Sequence, residues 1–442
     1  MIQYLSMQRD FSFELTYQDA QTHARCGIIH TPHGDIETPA FVPVGTQATV
    51  KSLNVDELKE LNVHMFFVNT YHMYLRPGLD VIQTFGGLHH FMGWDRPIIT
   101  DSGGFQIFSL GRKKYSHSLN QLGSIAVPAG RQDSRNQVVE RDQNASPVLV
   151  KISDDGVEFQ SHWDGTKHVF TPERSMEYQW ILGSDIHIAF DDCTPYGVKY
   201  EKAKRSMERT HAWAKRSLIR HQELSKNPAV AKALAGNQEP GTKNKELSSK
   251  NKVYQALYGS IQGSVFEELR KTSAAFITSL PFDGFAIGGV SVGESKEEMQ
   301  NVLDWVMPML PEDKPRHLLG VGEIDDIFAL IEHGVDTFDC VQPTRLARVG
   351  RLYSFGEDKK PCEVDITKAV YAHDKGPNDE GCQCYTCTHV TRGYLHHLFK
   401  TRELLGYRLA TIHNIFWIQS LVSQIRLAIR EGRLVALKNA WL

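Results

Sequence analysis

The chain has 442 residues, 41% hydrophobic and 23% charged, with a formal net charge of -3. These proportions are ordinary for a soluble globular protein and exclude wholesale disorder, and no apolar run reaches the roughly 20 residues that a membrane-crossing helix needs. The charge is uneven: from Cys340 to Leu442 there are 15 Lys and Arg against 9 Asp and Glu, which suits either a polyanionic partner or an ordinary solvated surface.

The N-terminal stretch MIQYLSMQRDFSFEL meets Arg9 and Asp10 before any apolar run long enough for a signal peptide, so a cytoplasmic protein is expected. In chain order, VHMFFVNT ending at Thr70, RPIITDSGG, DIHIAFDDC, ALYGSIQG, GFAIGG, HLLGVG and VDTFDC are short apolar runs closed by polar or Gly residues, and each reads as a buried strand. Helical signals lie between some of them. Thr171 caps Pro172 in TPERSMEYQWILG, Ser295 opens a Ser-Lys-Glu-Glu box, and Ile324, Ile327, Phe328 and Ile331 keep helical spacing with Gly334 as the stop. Strands alternating with helices predict a parallel sheet. Polar residues gathered at the C-terminal strand ends favour a closed (β/α)8 TIM barrel, of the α/β class, over an open doubly wound sheet.

Residues 115–148 and 225–251 lack sustained periodicity and are expected to be surface insertions. Residues 350–415 are expected to form a small metal-binding subdomain, followed by an amphipathic stretch from Trp417 to Leu437. The whole of 1–442 then reads as one barrel domain.

Seven cysteines, three of them within six positions, suit thiolate metal binding better than a disulfide framework. Cys382, Cys384 and Cys387 follow C-x-C-x2-C, and His413 comes after 25 further residues. Four such ligands complete a tetrahedral structural zinc site and leave no position for a reactive water. The alternative, three buried free thiols and an unrelated histidine, fits poorly because GCQCYTC has no apolar periodicity.

Asp101 and Asp339 each end an apolar run and are candidates for acid–base or nucleophilic work, although an Asp at a strand end is also a common cap or turn former. Asp101 precedes a Ser-Gly-Gly that allows close approach of a ligand, and Asp339 precedes Arg345 and Arg348. Asp191, Gln262 and Gly289 could read a flat heterocycle: the carboxylate accepts from two ring-edge N–H groups, while the amide and a backbone N–H donate to a ring carbonyl. Phe105 could cover its face. Taken singly these are also a turn, a strand-end glycine and a core aromatic.

Together the stretches PVGTQATVKSL, NTYHMYLRPG, DSGGFQIFSLG, FDDCTP, GSIQGSVFEELR, AIGGVSVGES, LLGVGEIDDI, GVDTFDCVQPTRLAR and the Cys/His cluster resemble the tRNA-guanine transglycosylase family, in its bacterial type. The resemblance implies exchange of the wobble guanine of tRNA with a GUN anticodon for a deazaguanine base through a covalent enzyme–RNA intermediate, and a homodimer. It makes Asp339 the nucleophile and Asp101 the proton handler. Ser102, Gly103, Gly104, Phe105, Asp191, Gln262 and Gly289 would bind the base. The anticodon loop falls to Gly320, Val321, Gly322, Glu323, Ile324, Asp325 and Asp326, with Thr344, Arg345, Leu346, Ala347 and Arg348.

The sequence departs from the bacterial pattern at Phe105, where Tyr is common, at Leu319, where Met is common, and at Gln342, where an apolar residue is usual. Cys193 and Val292 match the pattern that goes with 7-aminomethyl-7-deazaguanine as incoming base. A queuine-inserting enzyme, a non-catalytic RNA-binding subunit and a sugar-directed barrel glycosidase are the alternative readings.

Overall fold

The computed structural model describes residues 11–110, 148–226, 254–356 and 358–442. Both expected insertions fall outside these, apart from Val148, which opens the strand Val148–Ile152, and Ser225 and Lys226, which end the helix Tyr200–Lys226.

Eight parallel strands form the centre: β1 (Ala40–Pro43), β2 (Phe66–Val68), β3 (Ile98–Thr100), β4 (Ile186–Ile188), β5 (Ala256–Ile261), β6 (Gly284–Ile287), β7 (Arg316–Leu318) and β8 (Thr337–Cys340). Each pairs with its neighbour in chain order. β8 returns to β1 with Asp339 opposite Val42, and a parallel bridge from Val44 to Phe67 closes the ring. The seven apolar runs are β2 to β8. The eighth strand, AFVP, is framed by Pro39 and Pro43 and is too short and proline-bounded to read as a strand in isolation.

The period-2 alternation of strands sorts the side chains. Val42, Phe67, Ile99, Ile186, Ile188, Tyr258 and Ala286 point into the barrel and share a core with Phe11 and with Ile29 and Ile36 of the N-terminal antiparallel sheet, which plugs the bottom. Phe41, Phe66, Val68, Ile98, Leu257, Phe285 and Ile287 point outward to the helices. Helix Pro172–Leu182 is capped by Thr171, and helix Lys296–Val306 by a complete Ser295–Glu298 box. Helix Ile324–Glu332 stops just before Gly334, whose φ is 87°.

At the barrel bottom three carboxylates are tied down. Asp336 accepts from Arg25 Nε and Nη2 at 2.9 and 2.5 Å and from Arg316 N–H at 2.8 Å, all buried. Asp185 meets His33 Nδ1 at 2.7 Å and His89 Nε2 at 3.3 Å, and accepts from Ile98 N–H at 2.9 Å. Asp283 accepts from the Tyr254 hydroxyl and Leu257 N–H.

After β8 the chain makes helix Gln342–Arg348, the hairpin Arg351–Phe355 with Pro361–Asp365, and the cysteine loop, then enters one 27-residue helix, Leu404–Arg430. That helix holds His413, and further along it bonds the barrel through Gln419 to Phe41 O and Arg426 to Pro39 O. The boundary expected at 415 therefore falls inside a single element. Leu409, Ile412, Ile415, Ile418, Leu421, Val422, Ile425 and Ile429 are buried at helical spacing and carry the helix through it. The stretch from Trp417 to Leu437 likewise divides, with Leu434–Trp441 a separate helix beyond Gly432. Among the described residues no helix is long and apolar enough to cross a membrane.

Candidate active site and metal site

Because Ile99 points inward, Asp101 two residues on does too, and the same alternation aims Gln262 inward from β5 and Asp339 from β8. All three sit at C-terminal strand ends, where barrel enzymes place their chemistry. Asp101 is held by neutral donors only: Thr70 N–H to Oδ1 at 2.7 Å, and Asn69 Nδ2 and Gln106 Nε2 to Oδ2 at 2.7 and 2.6 Å. Burial outweighs these bonds and pushes its pKa up to about 6. Gly103 allows this turn. Its φ is +81°, and an added Cβ would stand 2.8 Å from the Phe170 ring.

The neighbouring carboxylate, Asp191, follows β4. It accepts from Ser102 Oγ at 3.1 Å and Gln262 Nε2 at 2.6 Å, and burial again raises its pKa to about 6. Each carboxylate oxygen keeps a lone pair, and the Gln262 amide keeps its second N–H, so the group retains capacity for a ring edge. Gly289, with φ of +66°, must lack a side chain, since a Cβ there would lie 2.4 Å from Gln262 Oε1. Phe105, in the helix that follows Asp101, is 46% exposed, an apolar ring left uncovered.

Arg270 organises the pocket from behind. Wholly buried, it donates to Ser264 O at 2.6 Å, Ile261 O at 3.0 Å, Gly288 O at 2.7 Å and Gly289 O at 3.0 Å, tying the loops after β5 and β6 together. Nothing local in the sequence marks it, because its acceptors are main-chain carbonyls at the ends of two separate strands and in the loops that follow them. Asn69, Thr70 and Gln106 were also missed, although all three lie in the motif stretches NTYHMYLRPG and DSGGFQIFSLG.

Asp339 accepts from Gly320 N–H at 3.1 Å, and His317 Nε2 lies 3.2 Å from the same oxygen. Gly320 thus contacts the carboxylate itself. Of the other residues expected at the anticodon loop, Glu323, Arg345 and Arg348 are exposed, Ile324 and Asp325 are partly so, and Val321, Gly322, Asp326, Thr344, Leu346 and Ala347 are buried and shape the rim from beneath. Lys296 gathers Glu323, Asp325 and Asp326 at 2.8, 2.6 and 3.3 Å. Lys51, absent from the sequence reading, adds to the cationic rim: burial and then Arg348 lower its pKa, and burial and then Arg345 lower that of Arg348.

The four metal-type side chains converge. Nδ1 of His413 lies 3.8, 3.4 and 3.3 Å from the Sγ atoms of Cys382, Cys384 and Cys387, close to the roughly 3.5 Å separating sulfur and nitrogen on a tetrahedral zinc. Nε2 of His413 donates to Tyr353 O at 2.7 Å, which turns the Nδ1 lone pair toward the thiols. Asn414, next in the helix, accepts from Tyr353 N–H and donates to Pro343 O and Arg351 O. The cluster can hold a metal ion, and it is fastened to the segment that carries Arg345 and Arg348.

Fold and mouth define a (β/α)8 barrel with buried carboxylates at the C-terminal ends of its strands and, after β8, a Cys3His cluster that can hold a metal ion. A family model described as queuine tRNA-ribosyltransferase matches residues 19–125 and 134–442. A protein of Roseiflexus sp. (strain RS-1), named queuine tRNA-ribosyltransferase, is 43% identical over 432 residues, covering 98% of this chain and 99% of its own. Another with that name, from Thermoanaerobacter pseudethanolicus, is 44% identical over 427 residues, 97% of this chain and 96% of its own. The chain belongs to the queuine tRNA-ribosyltransferase family, and with it to the pentosyltransferases that act as tRNA-guanine transglycosylases in queuosine synthesis.

Proposed function

We propose that the exchange runs through Asp339 as nucleophile and Asp101 as proton carrier. A carboxylate oxygen of Asp339 bonds to ribose C1′ of the wobble nucleotide as the C1′–N9 bond breaks and its electron pair leaves with guanine. Asp101 gives the departing base its proton and then takes one from N9 of the incoming base, whose nitrogen attacks C1′ and expels Asp339. A carboxyl held near pH 6 can make both transfers near neutrality at small cost. The observation that carries this reading is the meeting, at one barrel mouth, of two buried carboxyls held only by neutral donors, Asp101 and Asp191, with Asp339 across from them. Stacking on Phe105 and bonding to Asp191, Gln262 and Gly289 favour the incoming base over water. Asp339→Ala is expected to abolish the denaturation-resistant adduct with tRNA. Persistence of that adduct would refute the assignment.

The substrate in this reading is tRNA with a GUN anticodon, its phosphates on Lys51, Arg345 and Arg348, handled by a cytoplasmic homodimer. The incoming base is 7-aminomethyl-7-deazaguanine, supported by Cys193 and Val292. Side-by-side incorporation with queuine into one transcript tests it, and a queuine preference would overturn it.

The ion is zinc, one per chain, as the soft Cys3His donor set favours. It takes no part in the reaction. It rigidifies the segment after β8, so Cys384→Ser should lose the metal together with thermal stability or tRNA affinity. A metal-free variant with full stability and affinity would contradict that role.

A further inference from the structure

Asp339 is not held as Asp101 is. Asp101 has donors on both oxygens, whereas both partners of Asp339, Gly320 N–H and His317 Nε2, meet at Oδ1, and among the described residues Oδ2 has no donor. His317 is fully buried on the inward face of β7, in register with Thr337, two positions before Asp339 on β8. Its Nδ1 lies 2.9 Å from Thr337 Oγ1, and its ring stacks on Phe67 with centroids 6.0 Å apart. A carboxylate oxygen poised to attack carbon only accepts hydrogen bonds, so in the attacking state Nε2 is the donor to Oδ1, and the threonine hydroxyl can donate to Nδ1.

We propose that His317 is a positioning residue for the nucleophile: with Gly320 N–H it clamps Oδ1 of Asp339 and presents Oδ2 to the anomeric carbon. This rests on the reading of Asp339 as the nucleophile. A carboxylate free to turn about Cβ–Cγ offers either oxygen in many directions. Two donors on one oxygen fix that torsion, and the ring supplying one of them is itself fixed by Thr337 and Phe67. The geometry of attack is thereby set before RNA arrives. An imidazole beside Phe67 is not required for packing alone, since a leucine would fill a similar space without a polar group to satisfy.

The test uses the full-length, metal-loaded enzyme and a GUN-anticodon transcript, measuring single-turnover adduct formation, tRNA affinity and KM for guanine. His317→Leu is expected to slow adduct formation by about 10- to 100-fold, with tRNA affinity and KM within about twofold of wild type. His317→Gln, whose amide nitrogen can stand where Nε2 stood, is expected to recover to within about fivefold. Thr337→Val keeps the volume and frees the ring, for an expected loss of about fivefold. A folded His317→Leu at the wild-type rate, a His317→Gln no better than His317→Leu, or a loss confined to tRNA affinity each overturns the proposal. Should His317→Leu not fold, a wild-type rate in Thr337→Val does so. Asp339→Ala is run alongside: an adduct that survives it overturns the nucleophile reading, whereas an adduct lost there but formed at full rate in His317→Leu overturns this inference alone.

Discussion

At the bottom of the barrel Asp336 faces the Arg25 guanidinium and Asp185 faces two imidazoles, while at the mouth Asp101 and Asp191 face amides, a hydroxyl and a backbone N–H. All four are buried aspartates at strand ends. Burial by itself raises a carboxyl pKa; at Asp185 the bonds from His33 and His89 overcome that and hold it well below the usual range, whereas at Asp101 and Asp191 burial prevails and both stand near 6. Asp185 below is thus held in the charged form as structure, and Asp101 and Asp191 above can change protonation near neutrality. The kind of donor, more than depth, separates the two roles: imidazoles and a guanidinium below, amides, a hydroxyl and a backbone N–H above.

The largest effect should come from breaking the bottom. Asp336→Ala strands the Arg25 guanidinium in the interior and is expected to cost about 3–5 kcal/mol of stability, read from denaturant unfolding near neutral pH. A loss below about 1 kcal/mol would show that the pair is not a structural lock.

Next come two substitutions with opposite signs. Asp101 has a raised folded pKa, so its contribution to stability is complete below the unfolded value near 4 and is lost as pH rises through about 6. Asp101→Asn should therefore gain about 1–3 kcal/mol at pH 7.5, fading toward pH 4, while losing exchange activity. Asp185 has a depressed pKa and contributes above the unfolded value, so Asp185→Asn should lose stability at pH 7.5, with the loss shrinking as pH falls below about 4. Unfolding curves for both variants across pH check this, and equal signs would break the comparison. The smallest effect is expected at Phe105, which is half exposed. Phe105→Ala should leave stability nearly unchanged while raising KM for guanine about 10-fold.

Features written locally in the chain were legible. The cysteine spacing, the Thr171 and Ser295 caps and the Asp101 and Asp339 strand ends depend on neighbours within a few positions, and the structure brings each into the expected element. β1 was not legible, because AFVP acquires its strand character only from β8 and the β2 bridge. Nor was the unbroken helix through His413, where the ligand position suggested a boundary while the apolar spacing ran on past it. His317 and Arg270 were hidden for a related reason: each works through partners 18 or more residues away or through main-chain carbonyls, which leave no pattern in side-chain identity. The HLLGVG run did hold a clue, since a histidine within a strand read as buried needs a polar partner.

The division between a structural bottom and a chemical top is tested most directly by locating the covalent bond. The enzyme is trapped with a GUN-anticodon transcript under denaturing conditions, then digested with nuclease and trypsin, and the modified peptide is fragmented by mass spectrometry. The ribonucleotide is expected on Asp339, within the peptide that begins at His317 and ends at Arg345. Attachment at Asp101 or Asp191, or at Asp336 at the bottom of the barrel, would contradict the account.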